Sequence, residues 1–462
     1  METLFASELK KLNTLYNRMQ FSFLFLYGRD GTGKTELLRE FCQNKRTIFY
    51  SATEIVPQRQ LHAFWEEAVR CISPHQIPQE FTTWEQAFSW VSSVSFSHRL
   101  VLVLDEFQNL PVHQPDFMEA FQNAMEHDFP AGKIFLAITT SSVGYARQMM
   151  QEKAPSPFHH ISARAFLDAV PFYTCRPYLS TFPPLEQICL YGITGGLPSY
   201  INMLRPEATG RENVLSLFFQ KDSPLLFEPL KYLHRELREI STYNFLLEII
   251  ASGRNRLADI ASDASIGTNK CAKYLNILIS LGILTKEFPA VGDTQKKVRY
   301  VFVDHMLRFW YRFVYPNIST ILFGQGRTLY EQEVYPKLSE YALPVFETVC
   351  TEYLERLVDT QEAPFSYHHT GSWWCGGTKR EPFFRIPLVA VDETHTVLGI
   401  CHASEVPADL SYLESLNMPL EPFADKERYL CIFSTAGFTP ELTQAAAEAG
   451  NVWLIDLEDT VL

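Results

Sequence analysis

The chain predicts an α/β fold whose amino-terminal part is a parallel sheet, and three observations carry that prediction. An apolar run, Phe21 to Tyr27, leads into a glycine-rich loop, Gly28-Arg29-Asp30-Gly31-Thr32-Gly33-Lys34-Thr35, and then into the helical pattern Glu36–Phe41. A second apolar run, Leu100–Leu104, ends in Asp105-Glu106. Apolar strand-like runs alternate with helical patterns as far as about residue 205, the order in which parallel strands and their crossover helices occur.

The first strand is placed at 21–27. Strand, glycine-rich loop and helix in succession form the layout that cradles a nucleoside triphosphate. Gly28 and Gly33 let the backbone turn so that successive N–H groups, those of residues 28 to 35 (Gly28, Arg29, Asp30, Gly31, Thr32, Gly33, Lys34, Thr35), face the phosphates. Lys34 places an ammonium on the β- and γ-phosphates, and Thr35 offers a hydroxyl to Mg²⁺. The expected ligands are therefore ATP and Mg²⁺. A second strand is placed at 46–51. The third, 100–105, consists of five consecutive apolar residues before its acid, which fits a buried parallel strand. Asp105 then falls at the carboxyl end, where ligands bind in open α/β sheets. It is assigned to the Mg²⁺ shell together with Thr35, and Glu106 to polarising the attacking water. The fourth strand, 133–139, ends in Thr139-Thr140-Ser141-Ser142. Ser141 is the hydroxyl placed nearest the γ-phosphate or that water, although such clusters also simply end strands.

Beyond the sheet, Gly192–Tyr200 closes a small helical subdomain, and 205–240 reads as helical linker. Residues 241–305 give a helix, a short helix over Leu257–Ala261, a turn, a longer helix from Asn269 to Leu281, and two strands around a Gly-Asp tip, the pattern of a winged helix. Residues 251–300 carry eight basic and four acidic side chains, a balance of +4, so the rest of a chain whose net charge is −13 stands at −17. Lys270, Lys273, Lys296 and Lys297 are the candidate DNA contacts; docking of a protein partner to the same module is left open. The aromatic stretch Phe309–Tyr315 is assigned to a core rather than to base stacking. Further strands are placed at Phe384–Val391, Val397–His402, Tyr429–Phe433 and Val452–Asp456, with a helix over Glu441–Ala449.

The 462 residues suggest two to four domains, and 46% hydrophobic content is ample for packed cores. No apolar stretch approaches the roughly 18 residues of a membrane span. The nine cysteines form no Cys-x-x-Cys pair, which points to free thiols in a reducing cytoplasm and against a zinc site. Residues 381–462 hold three basic and fourteen acidic side chains, a balance that repels phosphate.

Gly28–Thr35, Leu104-Asp-Glu-Phe-Gln-Asn-Leu110 and Thr194-Gly-Gly-Leu-Pro-Ser-Tyr200, in that order, resemble the archaeal-type, AAA-related P-loop ATPases of prokaryotes. Asp304–Asn317, Phe346–Cys350, Gly371–Trp374 and Ser434–Phe438 resemble the carboxyl-terminal region of the same family. The resemblance implies an ATPase domain with a small helical subdomain over 1–205, a helical linker and winged helix over 206–305, and a restriction-endonuclease-like domain over 306–462. The fold class expected for the whole is thus α/β: a P-loop parallel-sheet ATPase domain, a winged-helix domain and a small α/β nuclease-like domain. The third domain departs from the family pattern. Pro387 stands where a metal-binding Asp belongs, Ile400 replaces Glu, and His402 replaces Lys, leaving Glu347 as a lone carboxylate. The nuclease is therefore expected to be lost, and a proline at 387 suits an edge or a bulge. The family's arginine after the last ATPase strand is also displaced; Pro157–Ile161 stands there, with Arg164 nearby, and slow hydrolysis is expected. Two functions follow: a cytoplasmic Mg-ATP-binding protein with slow ATP hydrolysis coupled to DNA or protein binding, or a nucleotide-gated regulator or scaffold without significant turnover whose third domain binds a protein partner.

Overall fold

The computed structural model describes residues 4–18, 20–71, 79–112, 114–151, 155–292, 298–363, 366–367, 369–376, 383–416 and 421–460. They form two compact units, one of Met1–Val170 with Leu197–Ser199 and His234–Glu236, the other of the remaining residues.

The first unit is built on five strands: β1 (Ser22–Tyr27), β2 (Thr47–Ser51), β3 (Leu100–Asp105), β4 (Ile134–Thr140) and β5 (Ala163–Phe166). Their spatial order is β2-β3-β4-β1-β5, and every pairing is parallel. β3 and β4 are buried at every position because both faces of the sheet are covered. Phe23, Phe25, Leu102, Leu104, Leu136 and Ile138 pack on one face, while Leu24, Leu26, Val101, Val103, Phe135 and Ala137 pack on the other. The alternation comes directly from the two-residue period of the strand. The predicted strands fall within a residue of the observed ones. β5 is additional: it is short, and its residues alternate between half-buried and exposed, so no apolar run marks it.

In the second unit, a helix over Ile240–Ala251, a short helix over Leu257–Asp263 and a longer one over Thr268–Ser280 precede the antiparallel pair β6 (Leu284–Glu287) and β7 (Arg299–Phe302). Phe309, Trp310, Tyr311 and Phe313 are buried; the Trp310 indole donates to the Leu226 carbonyl at 2.9 Å and the Tyr311 hydroxyl to Asn244 Oδ1 at 2.6 Å. The last sheet runs β12-β11-β10-β9-β8. Its strands are β8 (His369–Cys375), β9 (Phe384–Val391), β10 (His395–His402), β11 (Glu427–Ser434) and β12 (Val452–Asp456). β8, β9 and β10 pair antiparallel, and β10, β11 and β12 parallel. Pro387 falls within the register shift where Gly371 pairs with Val389 but Trp373 pairs with Ile386, a bulge that spares the sheet its missing N–H.

Candidate functional site

The glycine-rich loop leaves the carboxyl end of β1 and turns into the helix Lys34–Cys42. Gly31 and Gly33 have φ of 85° and 84°, a left-handed conformation that costs side-chain-bearing residues strain. A Cβ at Gly33 would collide with the Phe5 ring, and one at Gly28 with the Leu167 carbonyl. Lys34, 4% exposed, folds back on the loop and donates to the carbonyls of Gly28 (2.9 Å) and Arg29 (2.8 Å). Burial pulls the Lys34 ammonium below its usual range, against the opposing pull of Glu106, Asp30 and Asp105. Thr32 Oγ1 closes the turn by donating to the Arg29 carbonyl at 2.9 Å. Ser199, in the Thr194–Tyr200 stretch singled out from the sequence, donates its N–H to the Gly31 carbonyl at 3.2 Å.

Asp105 ends β3 and is 2% exposed. Three hydroxyls donate to it: Thr35 (3.0 Å) and Ser51 (2.9 Å) to Oδ2, and Thr139 (2.6 Å) to Oδ1. The hydroxyl and carboxylate assigned to a magnesium shell therefore meet. Oxygen donors of this kind, few from the protein and the remainder from phosphate and water, suit Mg²⁺. Glu106 follows with φ 55° and ψ 48°, a left-handed conformation that an unbranched acid adopts only when its surroundings hold it there. Its N–H donates to Thr139 Oγ1 at 3.0 Å, while its carboxylate accepts from Ser141 Oγ (2.6 Å) and Gln108 Nε2 (2.6 Å). Residues 28–35, Asp105, Glu106 and Ser141 thus converge at the carboxyl ends of β1, β3 and β4. A cavity of about 610 Å³ lies beside β2, lined by Arg39, Thr47, Phe49 and Glu66; of this cluster it shares only Ser51.

Sequence reasoning missed Arg235. It sits near the end of the helix Glu228–Glu236, and one guanidinium nitrogen donates to Asp30 Oδ2 at 2.6 Å while another reaches Ser141 Oγ at 3.4 Å. Neighbouring Glu236 accepts from the N–H groups of Val143 and Gly144, both at 3.1 Å. Burial works to raise the Asp30 carboxyl, but the hydrogen bond and charge of Arg235, with Lys34 and the Gly31 N–H, hold it below the usual carboxylate range. More than two hundred residues separate Asp30 from Arg235, and no spacing motif links them. Arg164, by contrast, lies exposed on β5 at the sheet edge.

Of the candidate DNA contacts, Lys270 and Lys273 are exposed on the helix Thr268–Ser280. Lys296 and Lys297 lie outside the described residues. Arg299, also counted among the basic residues of 251–300, is packed between the Trp374 and Phe383 rings, 4.8 and 4.2 Å from their centroids. In the last sheet, one Arg385 guanidinium nitrogen donates to both Glu347 oxygens (2.7 and 2.9 Å) and another to Glu287 at 3.1 Å. The carboxylate that the sequence leaves without acidic neighbours is thus paired with a guanidinium. Both ring nitrogens of His402 are engaged, Nδ1 with the Tyr412 hydroxyl and Nε2 with the Val406 carbonyl, each at 2.7 Å. No helix among the described residues is long and apolar enough to cross a membrane.

Residues 6–204 match a family described as an ATPase domain predominantly from Archaea, and residues 310–403 match one described as archaeal and bacterial proteins of unknown function. An uncharacterized protein of Methanocaldococcus jannaschii is 26% identical over 393 residues, covering 84% of this chain and 83% of that one. Among solved structures, a Walker-type ATPase of Pyrococcus abyssi superposes with a TM-score of 0.48 at 15% identity, covering 66% of this chain and 95% of its own. The ORC2 protein of Aeropyrum pernix, in ADPNP-ADP complexes, gives 0.46 at 14% identity, covering 70% and 94%. The segment 6–204, which matches the ATPase-domain family, holds the parallel five-stranded sheet and the glycine-rich loop.

Proposed function

We propose that this chain binds Mg-ATP and hydrolyses it slowly, and that the carboxyl-terminal unit couples nucleotide state to a macromolecular partner. One observation carries the reading: Lys34, Thr35, Asp105 and Glu106 converge at the carboxyl ends of β1 and β3, with Thr35 already hydrogen-bonded to Asp105. In this assignment the loop N–H groups of residues 28–35 and the Lys34 ammonium receive the phosphates. Thr35 and Asp105 hold Mg²⁺, which neutralises phosphate charge when bound. Ser51 and Thr139 orient Asp105. Glu106 polarises water, and Ser141 fixes the Glu106 carboxylate. Arg235 supplies a second cation beside the loop.

The helix Thr268–Ser280, with Lys270 and Lys273 exposed, is proposed as the DNA-contacting element, joined by Lys296 and Lys297. The last sheet is proposed as a nuclease-like fold without nuclease chemistry, since Pro387, Ile400 and His402 supply no acidic metal ligand, both His402 ring nitrogens are engaged, and Arg385 occupies Glu347. A reducing cytoplasm fits the nine free cysteines. One observation favours the alternative of a nucleotide-gated regulator: Glu106 is hydrogen-bonded by both Ser141 and Gln108, which lowers its availability as a base. Steady-state phosphate release by wild type and Glu106→Gln, with ATP affinity measured in parallel, tests the reading. Hydrolysis above background that falls at least tenfold in Glu106→Gln with ATP binding retained is expected; hydrolysis unchanged by the substitution would overturn the role given to Glu106. Tight ATP retention without turnover in the wild type selects the regulator.

A further inference from the structure

We propose that Asp30 competes with the terminal phosphate of a bound nucleoside triphosphate for Arg235, so that the phosphate loop carries its own brake on triphosphate capture. The inference rests on the nucleotide-site reading above and concerns how that site discriminates between its ligands. A carboxylate within a loop that receives phosphate is electrostatically adverse. Here it is compensated first by the ion pair from Arg235 to Asp30 at 2.6 Å, with Lys34 and the Gly31 N–H adding to it. Both side chains are 44% exposed, so a ligand can reach the pair. The same guanidinium lies 3.4 Å from Ser141 Oγ, and Ser141 donates to Glu106 at 2.6 Å. One arginine therefore spans the loop and the residue assigned to water activation. The neighbouring Glu236 accepts from the N–H groups of Val143 and Gly144, which ties the end of this helix to the segment after β4.

A phosphate oxygen pair is a better bidentate partner for a guanidinium than one carboxylate oxygen. A triphosphate draws Arg235 away from Asp30 and must break the pair; a diphosphate leaves it in place. The carboxylate consequently lowers triphosphate affinity by more than diphosphate affinity. Once Arg235 departs, Ser141 loses its cationic neighbour, and Glu106 is released from the network that the guanidinium supports.

The test uses the full chain and isothermal titration with Mg²⁺ and either ADP or a non-hydrolysable ATP analogue. Four proteins are compared: wild type, Asp30→Asn, Arg235→Ala and the double variant. Asp30→Asn is expected to tighten the ATP analogue about three- to tenfold more than it tightens ADP, the range for a partly exposed ion pair of short geometry. In the Arg235→Ala background that difference should vanish, leaving one common factor for both ligands. Equal tightening of both ligands whether or not Arg235 is present would overturn the proposal and reduce Asp30 to a like charge near phosphate; weaker binding of the analogue by Asp30→Asn would overturn it as well. Asp30→Ser is carried alongside, with melting curves, so that the ratio is read on a folded variant. The underlying reading fails in a different way: if neither ligand binds wild type, or Lys34→Ala binds both as wild type does, there is no nucleotide site and the proposal falls with it.

Discussion

Lys34→Ala is the perturbation whose size follows most directly from the structure. Without ligand, the Lys34 ammonium donates to two loop carbonyls, Gly28 and Arg29, at 2.9 and 2.8 Å. Truncation leaves those acceptors to water or to nothing, a cost of about 1–3 kcal/mol. It also removes a buried cation whose own desolvation is unfavourable, as the lowered ammonium pKa records. These effects oppose each other, so the net stability change should be small, within about 2 kcal/mol. Nucleotide binding has no such compensation. Each charge-assisted hydrogen bond to phosphate contributes about 1.5–3 kcal/mol. Contact with two phosphates then amounts to about 3–6 kcal/mol, or about 10²- to 10⁴-fold in Kd. Fluorescent ATP titration gives the affinity, and urea unfolding of the same preparation gives the stability. Lys34→Met, which keeps most of the apolar stem, separates charge from packing. A variant that unfolds like wild type and still binds Mg-ATP within about threefold of it would refute the assignment of the loop as a phosphate site.

Other consequences are measurable. DNA binding through Lys270, Lys273, Lys296 and Lys297 should show a log–log salt slope near −3.6 for about four neutralised phosphates and should disappear on reversal of the four charges; a quadruple variant that still shifts duplex DNA at the same salt places the contact elsewhere. His305 gives a pH dependence. Burial, with Arg308 beside it, pulls its imidazole down to about 3. Its Nε2 is shared with Thr348 at 3.2 Å, and its Nδ1 has no partner among the described residues. By surface area the side chain is half-buried. Below pH ~6.5 the unfolded chain binds a proton that the folded chain refuses, so stability is full above that pH and falls as pH drops toward 3, by at most about 1.4 kcal/mol per unit for this group. Urea midpoints between pH 7 and 4.5 should decline less steeply in His305→Gln than in wild type; parallel declines would remove His305 from the account.

What could be read from the sequence was local. The glycine-rich loop is eight contiguous residues, and its chemistry is written in its spacing. β1, β3 and β4 show as apolar runs because both their faces are buried. β5 does not, because an edge strand with alternating exposure needs no such run. β8 was visible only as the motif Gly371–Trp374, since its bulge interrupts the alternation. The hydroxyl of Ser51 reaches Asp105 because β2 lies beside β3, a neighbour relation that composition does not encode. Arg235 is the extreme case: a basic residue near the end of an ordinary helix, indistinguishable in sequence from a surface charge. Asp30 was legible as a member of the loop, but its carboxylate acquires a meaning only through the cation that meets it.

In the last sheet, too, a side chain takes its meaning from a distant partner. Set against the family pattern that the sequence resembles, Pro387, Ile400 and His402 leave Glu347 as one carboxylate, too few for a magnesium site. Burial pushes the Glu347 carboxyl up, and Arg385 opposes that shift with two hydrogen bonds. The guanidinium itself is held charged, against its own burial, by Glu347 and Glu287. Positive charge that a divalent ion would supply to a carboxylate cluster is here supplied by a side chain fixed on β9. Such a pair is weak support for net stability, because desolvation offsets much of the attraction, yet removing one partner costs about 3–5 kcal/mol by stranding the other. Glu347 is therefore tied to Arg385 energetically. The ion pair also links β6, through Glu287, to β9, and Glu287 bonds Ser372 on β8 at 2.5 Å. A metal could enter only by displacing a covalently tethered cation and breaking the β6 contact at the same time. That is the physical case for the proposal that this sheet carries no phosphodiester chemistry.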